Sequence, residues 1–212
     1  SELFNVLTGF SKRTKYKRFT VAPFSLHDKV LALIAREEEK ARAGRPSSIV
    51  AKMNSLVDAN VIRALYRASG AGVPITLAVR GICCLRPGVP GVSDRISVSS
   101  VVGRFLEHSR CFSFGVGDEE EIYISSADWM PRNFFRRVEL MVPILDEKAK
   151  EKIRQEVLEP LINDNSRARD LGADGEYLRR TPPSAENRVD AQQTLLDRLA
   201  RRGLRAIPSR SE

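Results

Sequence analysis

The sequence predicts an α/β fold, a mixed β-sheet flanked by helices, and three patterns carry that prediction. The first is a strand-helix-strand succession. Ser48-Ile-Val-Ala-Lys-Met53 reads as a strand, Asp58 as the cap of a helix to about Ser69, and Pro74-Ile-Thr-Leu-Ala-Val79 as a near-continuous apolar strand. A right-handed crossover makes the two strands parallel. The second is a hairpin of 108–114 with 121–126 about the turn Gly115-Val-Gly-Asp-Glu-Glu120, which adds antiparallel strands. The third is an amphipathic helix after Pro23, with Leu26, Val30, Leu33 and Ile34 on one face.

The remaining elements follow in order. Residues 1–18 read as a connector from a preceding domain, basic around Lys12 to Arg18, and the lack of an initiator Met suits a piece of a longer polypeptide. Phe19 to Ala22 forms a short strand. The next helix has Ser25 as N-cap, Asp28 in its first turn, a Glu38–Arg42 pair at i,i+4, and a stop at Gly44 and Pro46. Gly81 to Arg95, with three glycines and two prolines, is a surface loop. Strands near Ile96 to Ser99 and Arg137 to Ile144 complete the sheet, and Asp146 caps a helix to about Ile162, which closes a domain over 19–162. Residues 163–212 turn polar and read as a tail, packed loosely or against another domain, with a last helix near 185–202.

The net charge of +8 calls for an anionic partner. Its excess of arginine is scattered among acids, without basic blocks and interleaved aromatics, so a nucleotide phosphate or polyanion fits better than nucleic acid. No run approaches the roughly 20 apolar residues of a membrane span and no leader precedes a cleavage site, so the expected compartment is cytoplasmic. Cys83, Cys84 and Cys111 have neither metal-ligand nor disulfide spacing and read as reduced, half-buried residues. A Gly-x-x-x-x-Gly-Lys-Ser/Thr loop does not occur.

The hairpin supplies the candidate site. Its midpoint between Gly117 and Asp118 puts His108 opposite Ser126 or Ala127, with His108 and Arg110 on one strand face. An imidazole, a guanidinium, the hydroxyls of Ser125 and Ser126 and the Asp128 carboxylate then converge, which suits phosphoryl chemistry. Arg80 leaves the carboxyl end of a parallel strand, where open α/β sheets place ligands; a phosphate contact and a salt bridge to Asp94 are both open to it. Lys52 and Asn54 read as an ordinary strand-end pair. Pro131 fixes the turn from which Arg132 would reach a phosphate. Trp129 reads as a core plug, His27 as a surface residue, and the acidic runs 37–39 and 118–121 as solvated faces.

His108-x-Arg110 with Ser125-Ser126-x-Asp128 resembles a degenerate His-x-Lys and Gly-Ser-x-Asn signature of the phospholipase D superfamily. More specifically, Lys52-Met-Asn-Ser-Leu-Val-Asp58, Val79-Arg-Gly-Ile-Cys-Cys-Leu-Arg-Pro-Gly88, Gly103-Arg-Phe-Leu-Glu-His-Ser-Arg110 and Tyr123-Ile-Ser-Ser-Ala-Asp-Trp-Met-Pro-Arg-Asn133 resemble the C-terminal part of bacterial polyphosphate kinases, as do Leu3-Phe-Asn and Leu7-Thr-Gly, over about residues 2–180. That resemblance implies a phospholipase D-like sheet and reversible transfer of the terminal phosphate of ATP to inorganic polyphosphate, yielding ADP. The transfer would run through a phosphohistidine in upstream domains of the same polypeptide, with Mg2+ ligands also outside this sequence. It further implies a homo-oligomeric full-length protein, Arg80 as a nucleotide-phosphate contact, and His108 as phosphate ligand and general acid. Arg110, Ser125, Ser126 and Arg132 would be supporting phosphate contacts, and the isolated chain would be inactive. Two alternatives remain: a non-catalytic polyphosphate-binding or assembly module, and half of a phospholipase D-type phosphodiesterase.

Overall fold

The computed structural model describes residues 19–184 and 186–206, so the 1–18 connector lies outside the described residues. Nine strands among them form one mixed sheet: β1 (Thr20–Ala22), β2 (Ile49–Met53), β3 (Ile75–Val79), β4 (Ile96–Val101), β5 (Cys111–Phe114), β6 (Glu121–Ser125), β7 (Glu139–Ile144), β8 (Ala168–Leu171) and β9 (Tyr177–Arg179). Their order is β1-β7-β6-β5-β2-β3-β4-β8-β9. Strands β2, β3 and β4 are parallel, and every other pairing is antiparallel. The expected α/β class, a mixed sheet flanked by helices, is the observed one.

Alternation along the strands builds two cores. Ile49, Ala51 and Met53 of β2, Ile75, Leu77 and Val79 of β3, and Phe112 and Phe114 of β5 belong to the main core. Onto it α1 (Leu26–Arg42) lays Leu26, Val30, Leu33 and Ile34, and α2 (Ala59–Gly70) lays Val61, Ile62, Leu65 and Ala68. Ala78 of β3 belongs instead to a smaller core with Val101, Leu161, Ala168 and Ala191. That second core is closed by Leu161 of α5 (Glu159–Asn163) and Ala191 at the start of α6 (Ala191–Ala206); α4 (Glu147–Ile153) and a π-helical turn at Arg154–Leu158 lead into α5. No helix among the described residues is long and apolar enough to cross a membrane.

Capping follows the sequence in part. Asp58 accepts hydrogen bonds from the Asn60 and Val61 amides at 3.0 Å, and Asp146 accepts one from Ala149 at 2.8 Å. Ser25, expected to cap α1, makes no side-chain capping bond. The Glu38–Arg42 pair forms at 2.8 Å. The acidic runs are not simply solvated: Glu37 is fully buried against Lys40 at 3.2 Å, and Glu119 reaches the same lysine at 2.8 Å. His27 is not a surface residue either. It packs on Phe134 and Phe135, and its Nε2 lies 3.2 Å from Asp58.

The largest difference lies beyond Asn163, where the polar composition reads as a loose tail. Two strands form there, β8 joining β4 and β9 joining β8, and the last helix begins at Ala191 rather than near 185. Asp164 organises the return: its fully buried carboxylate accepts amide hydrogen bonds from Ser166, Arg167, Ala168 and Ala191. One carboxylate thus fixes the start of β8 and the start of α6, without an apolar run to announce either.

Candidate functional site

The sheet order gathers the candidate residues at one edge. The parallel strands β2, β3 and β4 end there; β5, antiparallel to β2, starts there, and β6, antiparallel to β5, ends there. Asn54, Arg80, Arg110 and the 125–128 segment therefore emerge together, on either side of the point where the strand direction reverses between β2 and β5. Gly81 lets the strand ends close: its amide donates to the Asn54 carbonyl at 2.8 Å, and a Cβ at this position would stand 2.9 Å from that oxygen.

The hairpin register is the one expected, with Cys111 opposite Ile124 and the Ser125 amide donating to the Arg110 carbonyl at 3.0 Å. The strand begins only at Cys111, however. His108 and Arg110 lie in the irregular segment 102–110 and do not share a strand face. The chain kinks away because its polar atoms are taken by side chains rather than by a ladder.

At the edge a hydrogen-bonded chain runs from Arg80 to the His108 backbone. Arg80 Nε donates to Asn54 Oδ1 at 3.1 Å, and not to Asp94, which is occupied by the Gly91 amide. Asn54 donates through its backbone amide (2.6 Å) and Nδ2 (3.2 Å) to Asp128, which also accepts from the Ser55 amide at 3.3 Å. Arg110 binds Asp128 through Nε at 3.2 Å and through a terminal nitrogen at 2.9 Å, and its other terminal nitrogen donates to the His108 carbonyl at 3.0 Å. Burial pushes the Asp128 carboxyl up, but the Arg110 hydrogen bond and the Asn54 and Ser55 amides outweigh it and hold it below the usual carboxylate range. Arg110 and Asp128 are thus each other's partners, and Asn54 is more than a strand-end residue.

The other predicted contacts are placed differently. Ser125 Oγ donates to the Leu140 carbonyl at 2.8 Å, and Ser126 bonds Glu139 and the Leu140 amide, so both hydroxyls fasten β6 to β7. Arg132 is exposed in the first turn of α3 (Pro131–Arg136). His108 is exposed, with no hydrogen bond or ion pair from its imidazole to a described residue. Trp129 is fully buried against Phe112 at 4.9 Å, as a core plug. Cys111 is buried, Cys83 half-buried and Cys84 exposed, all as free thiols.

Beside Arg80 opens a cleft of about 510 Å3, lined also by Ser100, Arg167, Arg169, Tyr177 and Arg179. Among the described residues no acidic side chain lines it, although Asp190 binds Arg167 at 2.7 Å from outside. Arg169 and Arg179 lie directly opposite one another on β8 and β9, where like charges repel. Sequence reasoning missed these three arginines; the signal available was the alternation of Arg167 and Arg169 at strand spacing.

Known proteins resemble this chain closely in sequence and fold. A family described as Polyphosphate kinase C-terminal domain 2 matches residues 19–192. A polyphosphate kinase of Thermosynechococcus vestitus is 52% identical over 198 residues, covering 93% of this chain and 27% of the relative. One of Pseudomonas aeruginosa is 50% identical over 199 residues, with coverage of 94% and 29%. The crystal structure of a polyphosphate kinase from Porphyromonas gingivalis superposes with a TM-score of 0.89 at 39% identity, over 96% of this chain and 31% of that one. The chain therefore spans less than a third of the length of these relatives. Since the match runs from β1 through the site-bearing edge and both arginine-carrying strands into the first turn of α6, the chain belongs to the polyphosphate kinase C-terminal domain family.

Proposed function

We propose that this chain is the phosphate-binding half of a polyphosphate kinase active site, acting in reversible transfer of the terminal phosphate of ATP to inorganic polyphosphate. The observation that carries the reading is the cleft beside Arg80, with four guanidinium groups and no lining acid. A cross-strand arginine pair costs stability unless an anion offsets it, and a chain of phosphates supplies charge at the required density. Phosphoryl transfer spreads charge over the equatorial oxygens, and one well-placed arginine contributes about 10³ to 10⁵ in rate in favourable cases. Arg80 takes that role here.

His108, exposed and with its carbonyl held by Arg110, acts as the general acid, a contribution of about 10² to 10⁴. As the bond between the terminal phosphorus and the bridging oxygen of ATP breaks, the phosphoryl group passes to a histidine in upstream domains and His108 protonates the departing oxygen. A second transfer then moves the group to the polyphosphate end. Magnesium assists such transfers by neutralising phosphate charge. Asp128 is committed to Arg110 and Asn54, and the protein ligands of the ion are assigned to the upstream domains.

The test is titration of polyphosphate onto the protein across a salt series. Arg80→Ala combined with Arg179→Ala should weaken binding and flatten the dependence on salt by about one ion per lost contact. Unchanged affinity and slope in the double variant would overturn the reading. In the full-length polypeptide, His108→Ala should cut turnover by at least about 10²-fold while polyphosphate binding persists. Loss of binding through the arginines with turnover indifferent to His108 would favour a binding module instead.

A further inference from the structure

The irregular segment 102–110 carries the proposed acid, yet little packing holds it: Val102, Phe105 and Leu106 are all exposed. Polar anchors hold it from two directions. Lys52, on β2 and only 2% exposed, points its ammonium at the Glu107 carbonyl (2.7 Å) and the Ser109 carbonyl (2.5 Å). With Arg110 on the His108 carbonyl, three consecutive carbonyls are each bound by a cation, while the side chains of His108 and Ser109 stay exposed. Gln192, buried in the first turn of α6, accepts from the Phe105 amide at 3.0 Å and donates to the Phe105 carbonyl at 2.8 Å and to Glu107 Oε1 at 2.9 Å. Its amide group therefore reads the backbone of residue 105 as a neighbouring strand would. The fit is close: a Cβ at Gly103 would stand 2.4 Å from Gln192 Oε1.

A buried ammonium is costly to desolvate, and among the described residues Lys52 recovers hydrogen bonds only from these two carbonyls, with no carboxylate in contact. An apolar side chain would fill β2 at less cost, so the lysine is accounted for by what it holds. We infer that Lys52 and Gln192 are positioning residues, a two-sided clasp on segment 102–110 that fixes His108 over the phosphate site. The inference rests on the proposed acid role of His108.

The test uses Lys52→Met and Gln192→Ala in the full-length polypeptide, with two readouts. Amide hydrogen exchange over 103–110 should quicken by about tenfold, on the scale of one or two lost hydrogen bonds, with amides of β2 and β3 unchanged. Turnover should fall by about tenfold or more at nearly constant KM, and the same substitutions should cost nothing further when His108 is already alanine. Unchanged exchange over 103–110 in both variants would overturn the clasp. So would turnover losses that persist in full in the His108→Ala background. If His108→Ala alone leaves turnover intact, the acid role fails and the exchange measurement still judges the clasp. If Lys52→Met does not fold, Gln192→Ala decides by the same two measurements.

Discussion

Replacing Asp128 with asparagine tests the hydrogen-bonded chain beneath the site. The carboxylate is buried, forms a two-point pair with Arg110, and accepts three further hydrogen bonds from Asn54 and Ser55. Asparagine keeps one acceptor oxygen and replaces the other by an NH2 group, which must face either the Arg110 guanidinium or the amides of Asn54 and Ser55, donor against donor. Removing one partner of a buried pair costs roughly 3–5 kcal/mol, and the retained oxygen places Asp128→Asn near the lower end, at about 3 kcal/mol. For a chain of this size each kcal/mol moves the melting temperature by about 2–4 °C, so the expected fall is about 6–12 °C at pH 7. The sign with pH follows from the lowered carboxyl: its stabilisation is complete above the unfolded-state value of about 3.9 and is lost as pH falls through the lower folded value. The gap between wild type and variant should stay constant from pH 7 to about pH 5 and narrow below about pH 4. Thermal melts followed by circular dichroism measure both. A melting temperature within about 2 °C of wild type at pH 7, or a gap that widens in acid, would refute the reasoning.

Three further outcomes are expected. Gly81→Ala places a methyl group 2.9 Å from the Asn54 carbonyl, so the ends of β2 and β3 must part; a loss of about 1–3 kcal/mol in urea unfolding should accompany weaker polyphosphate binding through a displaced Arg80. Burial lowers Lys52 to about 8, against opposing attraction from Glu107 and Cys111 and with added repulsion from Arg80 and Arg110. The unfolded chain therefore holds that proton up to its ordinary 10.5, and wild-type stability relative to Lys52→Met should rise between about pH 8 and 10.5; a flat difference across that window counts against it. Trp129 buries an indole N–H without a partner among the described residues, so Trp129→Phe should stay within about 1.5 kcal/mol of wild type, whereas Trp129→Ala should cost roughly 3–5 kcal/mol in the same unfolding measurement.

The parts of the fold set by local periodicity were legible. The β2-α2-β3 crossover, the hairpin register and the Asp58 cap each follow from patterns within a few residues. Strands β8 and β9 were not, because they are short, polar and arginine-bearing, and they exist through pairing with β4 and through Asp164, neither of which leaves an apolar alternation. The site shows the same division. Arg80 was legible as the residue leaving a buried parallel strand, whereas the hydroxyls of Ser125 and Ser126, which beside an arginine and an aspartate look like phosphate ligands, bond partners on β7 that only the sheet order brings alongside. Glu37 and His27 fail for the converse reason. Each is polar and flanked by charged residues, and each is buried by a partner distant in sequence, Ser48 for one and Asp58 for the other.

The reversal of strand direction between β2 and β5 explains why the site can be both rigid and open. On the parallel side, Arg80 leaves a strand whose backbone is fully paired, so its guanidinium is aimed by β3 and by one hydrogen bond to Asn54. On the antiparallel side, the chain between β4 and β5 crosses over β2 and β3 without secondary structure, which frees His108 from a ladder and leaves its carbonyls to Lys52 and Arg110. Asn54 and Asp128 join the two sides, so a change in either residue should disturb Arg80 and His108 together. The proposed phosphoryl transfer needs charge stabilisation from one direction and a proton from the other, and the two halves of this edge present Arg80 and the His108 segment from separately anchored positions.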